Sequence, residues 1–275
     1  MVRMAKYFVF KTRSLGSNPD LPDRGTLASW IVRHPGMEAD LTTVLTDISL
    51  EPQYGAGIDT PCAGGQYYRE RVLASLTGVS GKDLVEEPSM TASLLVRDLE
   101  SLEHSLTGTW FCLPAPHALG LVDAYYDDPD EFSASLTTEY RRVLRTMRDE
   151  GIAGHVMFCD RVLEEEASAL KGKKVILYCP GATQDDLEVL LECQNSVVVD
   201  ASMVPGVIDA LDEYPGRKVV VTHPDEATCR LLYEHFEQGR FEVGGYCTGR
   251  CEPFWSDLMG AARVIRVPLK SRQTG

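Results

Sequence analysis

The sequence predicts an α/β protein, a single (β/α)8 barrel of the TIM type that spans residues 1–275. Short apolar runs rich in β-branched residues alternate with helical patterns along the second half of the chain. Such runs are typical of a parallel sheet that helices cover on both faces. The strand–helix units number close to eight, which suits a closed barrel at this chain length. No linker, repeat or low-complexity segment divides the sequence, and an open doubly wound sheet is the structural alternative.

The first half follows this alternation less cleanly than the second. Its predicted strands are residues 7–10, 57–60 and 109–113, and its predicted helices are residues 27–33, 41–50, 66–76 and 129–150. The later strands are predicted at residues 155–159, 174–179, 196–200, 218–222 and 241–247. Helices follow these strands and end near residues 170, 193, 213, 238 and 264. Thr183, with acidic residues behind it, indicates a helix N-cap. The acidic run 164–166 is interpreted as a solvated helix start.

Composition excludes several classes of partner. The chain has 41 acidic and 27 basic residues and a net charge of −14. No basic cluster offers a surface for nucleic acid or for an anionic membrane. No apolar stretch approaches the roughly 18 residues of a membrane span, and the first residues lack a signal-peptide cleavage site. A cytoplasmic protein is therefore expected, and its eight cysteines are too sparse for a disulfide framework.

Chemistry-bearing residues gather where the predicted strands end. In a barrel, functional residues collect at the carboxyl ends of the strands. These positions carry three cysteines, two aspartates and one histidine, namely Cys159, Asp160, Cys179, Asp200, His223 and Cys247. Thiolates, carboxylate and imidazole are the usual ligands of zinc. For the cysteines, the alternative is a buried structural thiol.

Several segments in sequence order resemble a known family. They are residues 15–19 (LGSNP), 57–59 with 65–69 (GID and GQYYR), 113–120 (LPAPHALG), 157–160 (MFCD), 175–181 (VILYCPG) and 246–249 (YCTG). Together they resemble the catalytic barrel of cobalamin-independent methionine synthase. That family lies in a superfamily with uroporphyrinogen decarboxylase and the methylcobamide:thiol methyltransferases. The chain looks like a divergent, short member of this group.

The resemblance implies a zinc-dependent methyltransferase that acts in methionine biosynthesis. The methyl donor would be a methylated pterin or a methylcobamide, and the acceptor would be a thiol such as homocysteine. A corrinoid protein is a candidate partner. Zinc raises the fraction of reactive thiolate by lowering the pKa of a bound thiol.

The resemblance also implies a ligand set for zinc. Cys179 and Cys247 fall on the two family cysteines, and Asp200 falls on the family glutamate. Leu177 stands at the histidine position and cannot ligate a metal. His223, at the end of a neighbouring strand, is the expected substitute. Cys251 or the substrate thiolate are the alternatives.

The resemblance also implies which residues of this chain bind the substrate. Asp160 would hold the ammonium group of an amino-acid thiol, and Ser17 would donate to its carboxylate. Gln66 stands where the family has a substrate-binding glutamate, and Arg69 follows it in the same motif. His117, in a loop at the barrel mouth, is a candidate general acid, with a solvated loop histidine as the alternative.

Two other functions stay open from the sequence. A metal-free enzyme resembling uroporphyrinogen decarboxylase would need arginines for several substrate carboxylates, and Arg13, Arg69 and Arg71 are the candidates. A barrel that binds a corrinoid, a pterin or a partner protein without catalysis is the other possibility. The departures at Leu177 and at Arg161, which replaces a family glutamate, keep both open.

Overall fold

A computed structural model describes residues 7–37, 40–235 and 239–265. The strands are β1 (Tyr7–Val9), β2 (Lys11–Pro19), β3 (Cys62–Gly64), β4 (Leu76–Ser80), β5 (Asp83–Met90), β6 (Trp110–Pro114), β7 (Val122–Asp123), β8 (Gly154–Phe158), β9 (Val175–Tyr178), β10 (Ser196–Asp200), β11 (Lys218–Thr222), β12 (Phe241–Gly249) and β13 (Arg263–Ile265). The helices are α1 (Arg24–Arg33), α2 (Leu41–Ile48), α3 (Glu51–Ala56), α4 (Arg69–Ala74), α5 (Ser93–Glu100), α6 (Pro129–Asp149), α7 (Glu164–Ala169), α8 (Gln184–Cys193), α9 (Val204–Ala210), α10 (Glu226–His235) and α11 (Cys251–Ala261). Short 3-10 turns cover Gln66–Tyr68, His117–Leu119 and Ala201–Met203.

Eight strands form two parallel sheets. Their orders are β10-β11-β12-β2 and β3-β6-β8-β9. A parallel bridge between Arg13 and Thr60 joins β2 to the segment before β3. At the other junction β9 and β10 are in contact, but among the described residues no ladder pairs them. The parallel α/β fold is thus confirmed, whereas closure into a (β/α)8 barrel stays a prediction.

The inner faces of these sheets share one buried cluster. Every one of the eight parallel strands contributes to it, through Leu15, Cys62, Trp110, Cys112, Val156, Phe158, Ile176, Tyr178, Val198, Val220 and Tyr246. The guanidinium of Arg13 lies 4.4 Å from the ring centroid of Trp110 and forms a buried ion pair with Glu242. A second, larger cluster, which we call the outer cluster, includes the alternate strand residues and apolar residues of the helices. Burial on both faces explains why β8 to β11 are apolar nearly throughout.

The predicted boundaries are most accurate where the apolar runs are continuous. β10 and β11 have the predicted bounds, and helix α6 ends one residue before its predicted end. Thr183 caps α8 with a reciprocal pair of hydrogen bonds to Asp186. For the helix predicted at 226–238, residues 236–238 lie outside the described residues. No helix in the described ranges is long and apolar enough to cross a membrane.

Of the strands predicted in the first half, one forms but lies in a different sheet, and one lies at other residues. The segment predicted at 7–10 is β1, which pairs antiparallel with β13 instead of starting the parallel sheet. The first parallel strand is β2, whose sequence KTRSLGSNP is polar because its inner face carries Arg13. The strand predicted at 57–60 lies later, at β3. The sequence also did not reveal the small sheet β4-β5-β7. Its strands β4 and β5 lie between β3 and β6 in the chain, and β7 follows β6.

Glycines bring β2 and β3 into close contact at the carboxyl end of the sheet. The register between β2 and β12 shifts beside Gly16, which has a φ of +104°. A β-bulge of this kind re-aims the residues that follow it. A Cβ atom on Gly65 would lie 1.8 Å from the carbonyl oxygen of Ser17. The Ser17 backbone therefore leaves no room for a side chain at position 65.

We expect Gly65→Ala to destabilise the fold because the new methyl group must displace the β2 backbone. Forced overpacking of this kind costs about 1–3 kcal/mol. Gly55→Ala in α3 is the control, because no atom lies within 4 Å of a Cβ built there. Urea unfolding of the two variants checks this prediction. A Gly65→Ala protein as stable as Gly55→Ala would contradict it.

Candidate functional site

Three aromatic rings close the inner cluster at the carboxyl ends of the strands. The ring centroid of Phe158 lies 5.6 Å from that of Tyr178 and 5.0 Å from that of Tyr246. The centroids of Tyr178 and Tyr246 lie 5.7 Å apart. The hydroxyl oxygen of Tyr246 accepts a hydrogen bond from the backbone N–H of Gln66 at 2.9 Å. We call these three rings the aromatic floor; the candidate site residues lie around it.

His117 is held between two carboxylates beside this floor. Its Nδ1 contacts Glu166, its Nε2 lies 2.9 Å from Oδ1 of Asp160, and its backbone N–H donates to Glu166 at 3.0 Å. The His117 side chain is only 9% exposed, whereas that of Asp160 is 73% exposed. Burial lowers the pKa of His117, but the hydrogen bonds and charges of Glu166 and Asp160 outweigh burial and raise it. The two carboxylates therefore favour the protonated form of His117, and the interpretation as a solvated loop residue does not hold.

Glu166 is the residue of this group that the sequence did not reveal. The run 164–166 was interpreted as a solvated helix start, yet Glu166 is only 2% exposed. Successive residues of a helix point in different directions, so one member of an acidic run can face inwards while its neighbours meet water. Glu164 and Glu165 are exposed, and Glu166 lies under the loop that carries His117. No local signal distinguishes Glu166 within the run 164–166, because its burial follows from its contact with the loop that carries His117.

Cys179 forms a thiol pair with Cys159, the residue that follows the neighbouring strand. Their strands β8 and β9 are parallel partners, and the N–H of Cys159 donates to the carbonyl of Tyr178 at 2.9 Å. The hydrogen bond from Cys159 lowers the pKa of Cys179, although burial opposes this, and it raises the pKa of Cys159. The pair therefore favours a thiolate on Cys179.

Three of the four predicted metal ligands line one small cavity. Cys179, Asp200 and His223 surround a volume of about 110 Å³ at the ends of β9, β10 and β11. Oδ2 of Asp200 lies 3.6 Å from Nδ1 of His223. Hydrogen bonds from Ser202 lower the pKa of Asp200, and the charge of His223 adds to this effect. The sulfur, oxygen and nitrogen donors around this cavity suit zinc.

The fourth predicted ligand lies elsewhere. Cys247 shares a hydrogen bond with Cys251 in α11, which raises the pKa of Cys247 and lowers that of Cys251. It packs in the outer cluster and is not among the residues that line the 110 Å³ cavity. Within the described ranges, no three of the four predicted ligands bring their donor atoms within 4.8 Å of one another. As the side chains stand, neither the four-residue set nor the three residues around the cavity fit a single zinc ion.

The predicted substrate-binding residues are linked through neighbouring loops, and Gln66 contacts the aromatic floor at Tyr246. Ser17 is fully buried, and its hydroxyl has no hydrogen-bond partner in the described structure. Ser17 adjoins Gly65, and the exposed Gln66 follows directly. Arg69 donates to the carbonyl of Leu119, in the loop that carries His117. Asp160 stands apart from these residues and reaches them through the His117 loop.

Two of the three arginines named for a decarboxylase-like site are buried in ion pairs, which leaves only the partly exposed Arg69. Arg13 contacts Glu242 inside the inner cluster. Arg71 is buried against Asp98, with Nε 2.7 Å from Oδ2 of that residue, and it also contacts Asp40 at 2.6 Å. Neither guanidinium is available to a substrate carboxylate.

Comparisons with known proteins give a match in fold only. Neither the models of known protein families nor the sequences of curated proteins match this chain. A putative vitamin-B12-independent methionine synthase from Listeria monocytogenes aligns with a TM-score of 0.62 and 15% identity, over 90% of this chain and 94% of that chain. A B12-independent methionine synthase from Shewanella sp. W3-18-1, in complex with selenomethionine, aligns with a TM-score of 0.62 and 14% identity, over 93% and 97%. The chain shares the fold of these two structures.

We expect Glu166→Gln to lower the pKa of His117, because the buried carboxylate is its strongest charge partner. Asp160→Asn should lower it less, since solvent screens an exposed charge. Glu165→Gln on the same helix is the control. The titration of the His117 ring, followed by NMR, checks the order of the three variants. Because the pKa of His117 is raised in the folded state, its protonation stabilises the fold. This contribution is complete below the unfolded pKa of about 6.5 and is lost as pH rises through the folded pKa. An unchanged His117 titration in Glu166→Gln would contradict the assignment.

Proposed function

We propose that this protein is a methyltransferase of the methionine-synthase type, which transfers a methyl group to a thiol such as homocysteine. The fold match over at least 90% of each chain is the observation that carries the proposal. The position of thiol, carboxylate and imidazole groups at adjacent strand ends supports it. In such a reaction the thiolate sulfur attacks the methyl carbon, and the demethylated donor leaves with the bonding electrons. A methylated pterin and a methylcobamide, free or on a corrinoid protein, are the proposed donors.

Zinc is the proposed cofactor, held by Cys179, Asp200 and His223. These residues line the same cavity, and their donor types suit zinc. Their three donor atoms do not all lie within 4.8 Å of one another, so binding one ion requires the side chains to turn towards the cavity. A bound zinc ion lowers the pKa of a coordinated thiol. The structure gives no support to Cys247 as a fourth ligand, because Cys247 is paired with Cys251. The substrate thiol would complete the coordination.

The residues around the floor would hold the rest of an amino-acid substrate. One oxygen of Asp160 accepts from His117, while the side chain as a whole is largely exposed. Asp160 is therefore open to an ammonium group, and Glu166 keeps His117 in place behind it. Ser17, Gln66 and Arg69 are proposed to contact the substrate carboxylate. The Shewanella structure holds selenomethionine, an amino acid of this kind.

Zinc binding should depend on Cys179 and not on Cys247. Purified protein supplied with zinc should hold about one ion per chain in the cavity lined by Cys179, Asp200 and His223. Cys179→Ser and Asp200→Asn should weaken this binding by at least about tenfold, because each removes a ligand. Cys247→Ser and the control Cys193→Ser should retain it. Elemental analysis after dialysis against a weak chelator checks the result, and loss of zinc with Cys247 but not with Cys179 would contradict the ligand set.

The same zinc-loaded protein should form methionine from homocysteine with methylcobalamin or a methylated pterin. Product analysis by mass spectrometry tests the activity, and Cys179→Ser should abolish it. If neither donor yields methionine while the protein still binds one of them, the protein is a binding barrel without catalysis. That outcome would overturn the proposed function.

We expect Asp160→Asn to weaken homocysteine binding, because the ammonium group loses its charged partner. A hydrogen bond to a charged group is worth about 1.5–3 kcal/mol. Asp209→Asn, on the exposed side of α9, is the control. Calorimetric titration with homocysteine gives both affinities. Equal affinities would show that Asp160 does not hold the amino group.

A further inference from the structure

A second group of metal-ligand side chains lies away from the mouth. His34 follows the last residue of α1, Asp47 lies in α2, and Glu103 lies in the loop before β6. One imidazole nitrogen and two carboxylate oxygens from these residues lie within 4.8 Å of one another. None of the three residues lines the 110 Å³ cavity at the strand ends. We call it the helix-side cluster.

The ring of His34 is oriented for ligation. It stacks on Trp30 with 3.9 Å between the centroids, and its Nδ1 lies 2.9 Å from the carbonyl oxygen of Trp30. A carbonyl only accepts, so Nδ1 carries the hydrogen, and in the neutral ring Nε2 has the lone pair. The His34 side chain is 8% exposed, and its Nε2 is buried without a hydrogen-bond partner in the structure. This nitrogen points into the cluster, where Oε1 of Glu103 lies 3.4 Å away.

The two carboxylates are held from behind by other groups. Asp47 is 3% exposed, and its oxygens accept from the indole N–H of Trp30 at 2.8 Å and from the backbone N–H of Glu103 at 2.9 Å. Oε2 of Glu103 accepts from Arg33 at 3.1 Å. Metal ligands are commonly fixed by such outer partners. The indole and amide groups are neutral, so they orient the buried Asp47 carboxylate without cancelling its charge.

We propose that His34, Asp47 and Glu103 bind a divalent transition-metal ion, with zinc as the best fit. One imidazole nitrogen and two carboxylate oxygens form a donor set that zinc accepts, and water would occupy the fourth position. The ion would join α1, α2 and the loop before β6, three segments that are separate in the sequence. Its role is structural. The site is independent of the proposed function at the mouth.

The test uses the full chain carrying Cys179→Ser, which removes the thiolate ligand at the mouth. Zinc alone is titrated into metal-free protein and followed by calorimetry and native mass spectrometry. We expect one zinc ion per chain in this background, and at least about tenfold weaker binding when His34→Gln is added. His104→Gln is the matched control, because His104 is adjacent to Glu103, stacks on Tyr54 and is not part of the cluster. Zinc should also raise the Tm of the Cys179→Ser protein and of the His104→Gln protein, but not that of His34→Gln.

Cobalt(II) distinguishes the two sites. At the helix-side cluster it should show weak visible bands without the intense near-ultraviolet band of a thiolate ligand. Glu103→Gln is the second variant if His34→Gln does not fold, since it removes one ligand and keeps the backbone hydrogen bond to Asp47. Equal zinc binding with and without His34 or Glu103, or no zinc binding in Cys179→Ser, would overturn the proposal. Failure of methyl transfer at the mouth would leave these results unchanged.

Discussion

The alternation of side chains along the parallel strands is the constraint on which the site depends. Each strand of a sheet buried on both faces must send successive residues to opposite cores. Phe158, Tyr178 and Tyr246 take the inner side and form the aromatic floor. The residue after each of these rings is a cysteine, and all three cysteines fall in the outer cluster. Cys159, Cys179 and Cys247 therefore lie on the outer side of the aromatic floor, and each lies next to a second thiol. Cys179 pairs with Cys159, and Cys247 pairs with Cys251.

The charged groups of the mouth follow a different rule, because they stand in the segments after the strands. In these segments, the burial of each carboxylate determines whether it needs a partner within the protein. A buried carboxylate such as Glu166 must be compensated by bonded partners, and His117 supplies them through Nδ1 and its backbone N–H. Exposed Asp160 needs no such compensation, so its second oxygen can serve a ligand. One histidine thus couples a buried structural carboxylate to an exposed carboxylate that is proposed to bind substrate.

The sequence predicted those parts of the fold that follow from local pattern. The valine runs of β10 and β11 cannot face water on either side, so their bounds were confirmed. β2 escaped prediction because the Arg13–Glu242 ion pair lies inside the inner cluster, and a charged residue in a strand normally indicates an exposed face. The role of Glu166 and the pairing of Cys247 with Cys251 depend on packing between segments, which one sequence does not encode locally. The three-residue cavity was accessible to prediction, since Cys179, Asp200 and His223 each end a strand.

Leu177 shows how the fold limits changes to the site. It occupies the position where the resemblance implies a histidine, and it is buried in the outer cluster at 3% exposure. An imidazole there would have to be satisfied among apolar neighbours. His223 follows the end of β11, its side chain is 60% exposed, and its φ of +51° belongs to a turn rather than to a strand. Under the proposed function, an imidazole ligand at position 223 does not replace a buried apolar side chain, whereas one at position 177 would. The exposure of His223 would also leave the proposed metal site more open to solvent than a ligand within β9 would.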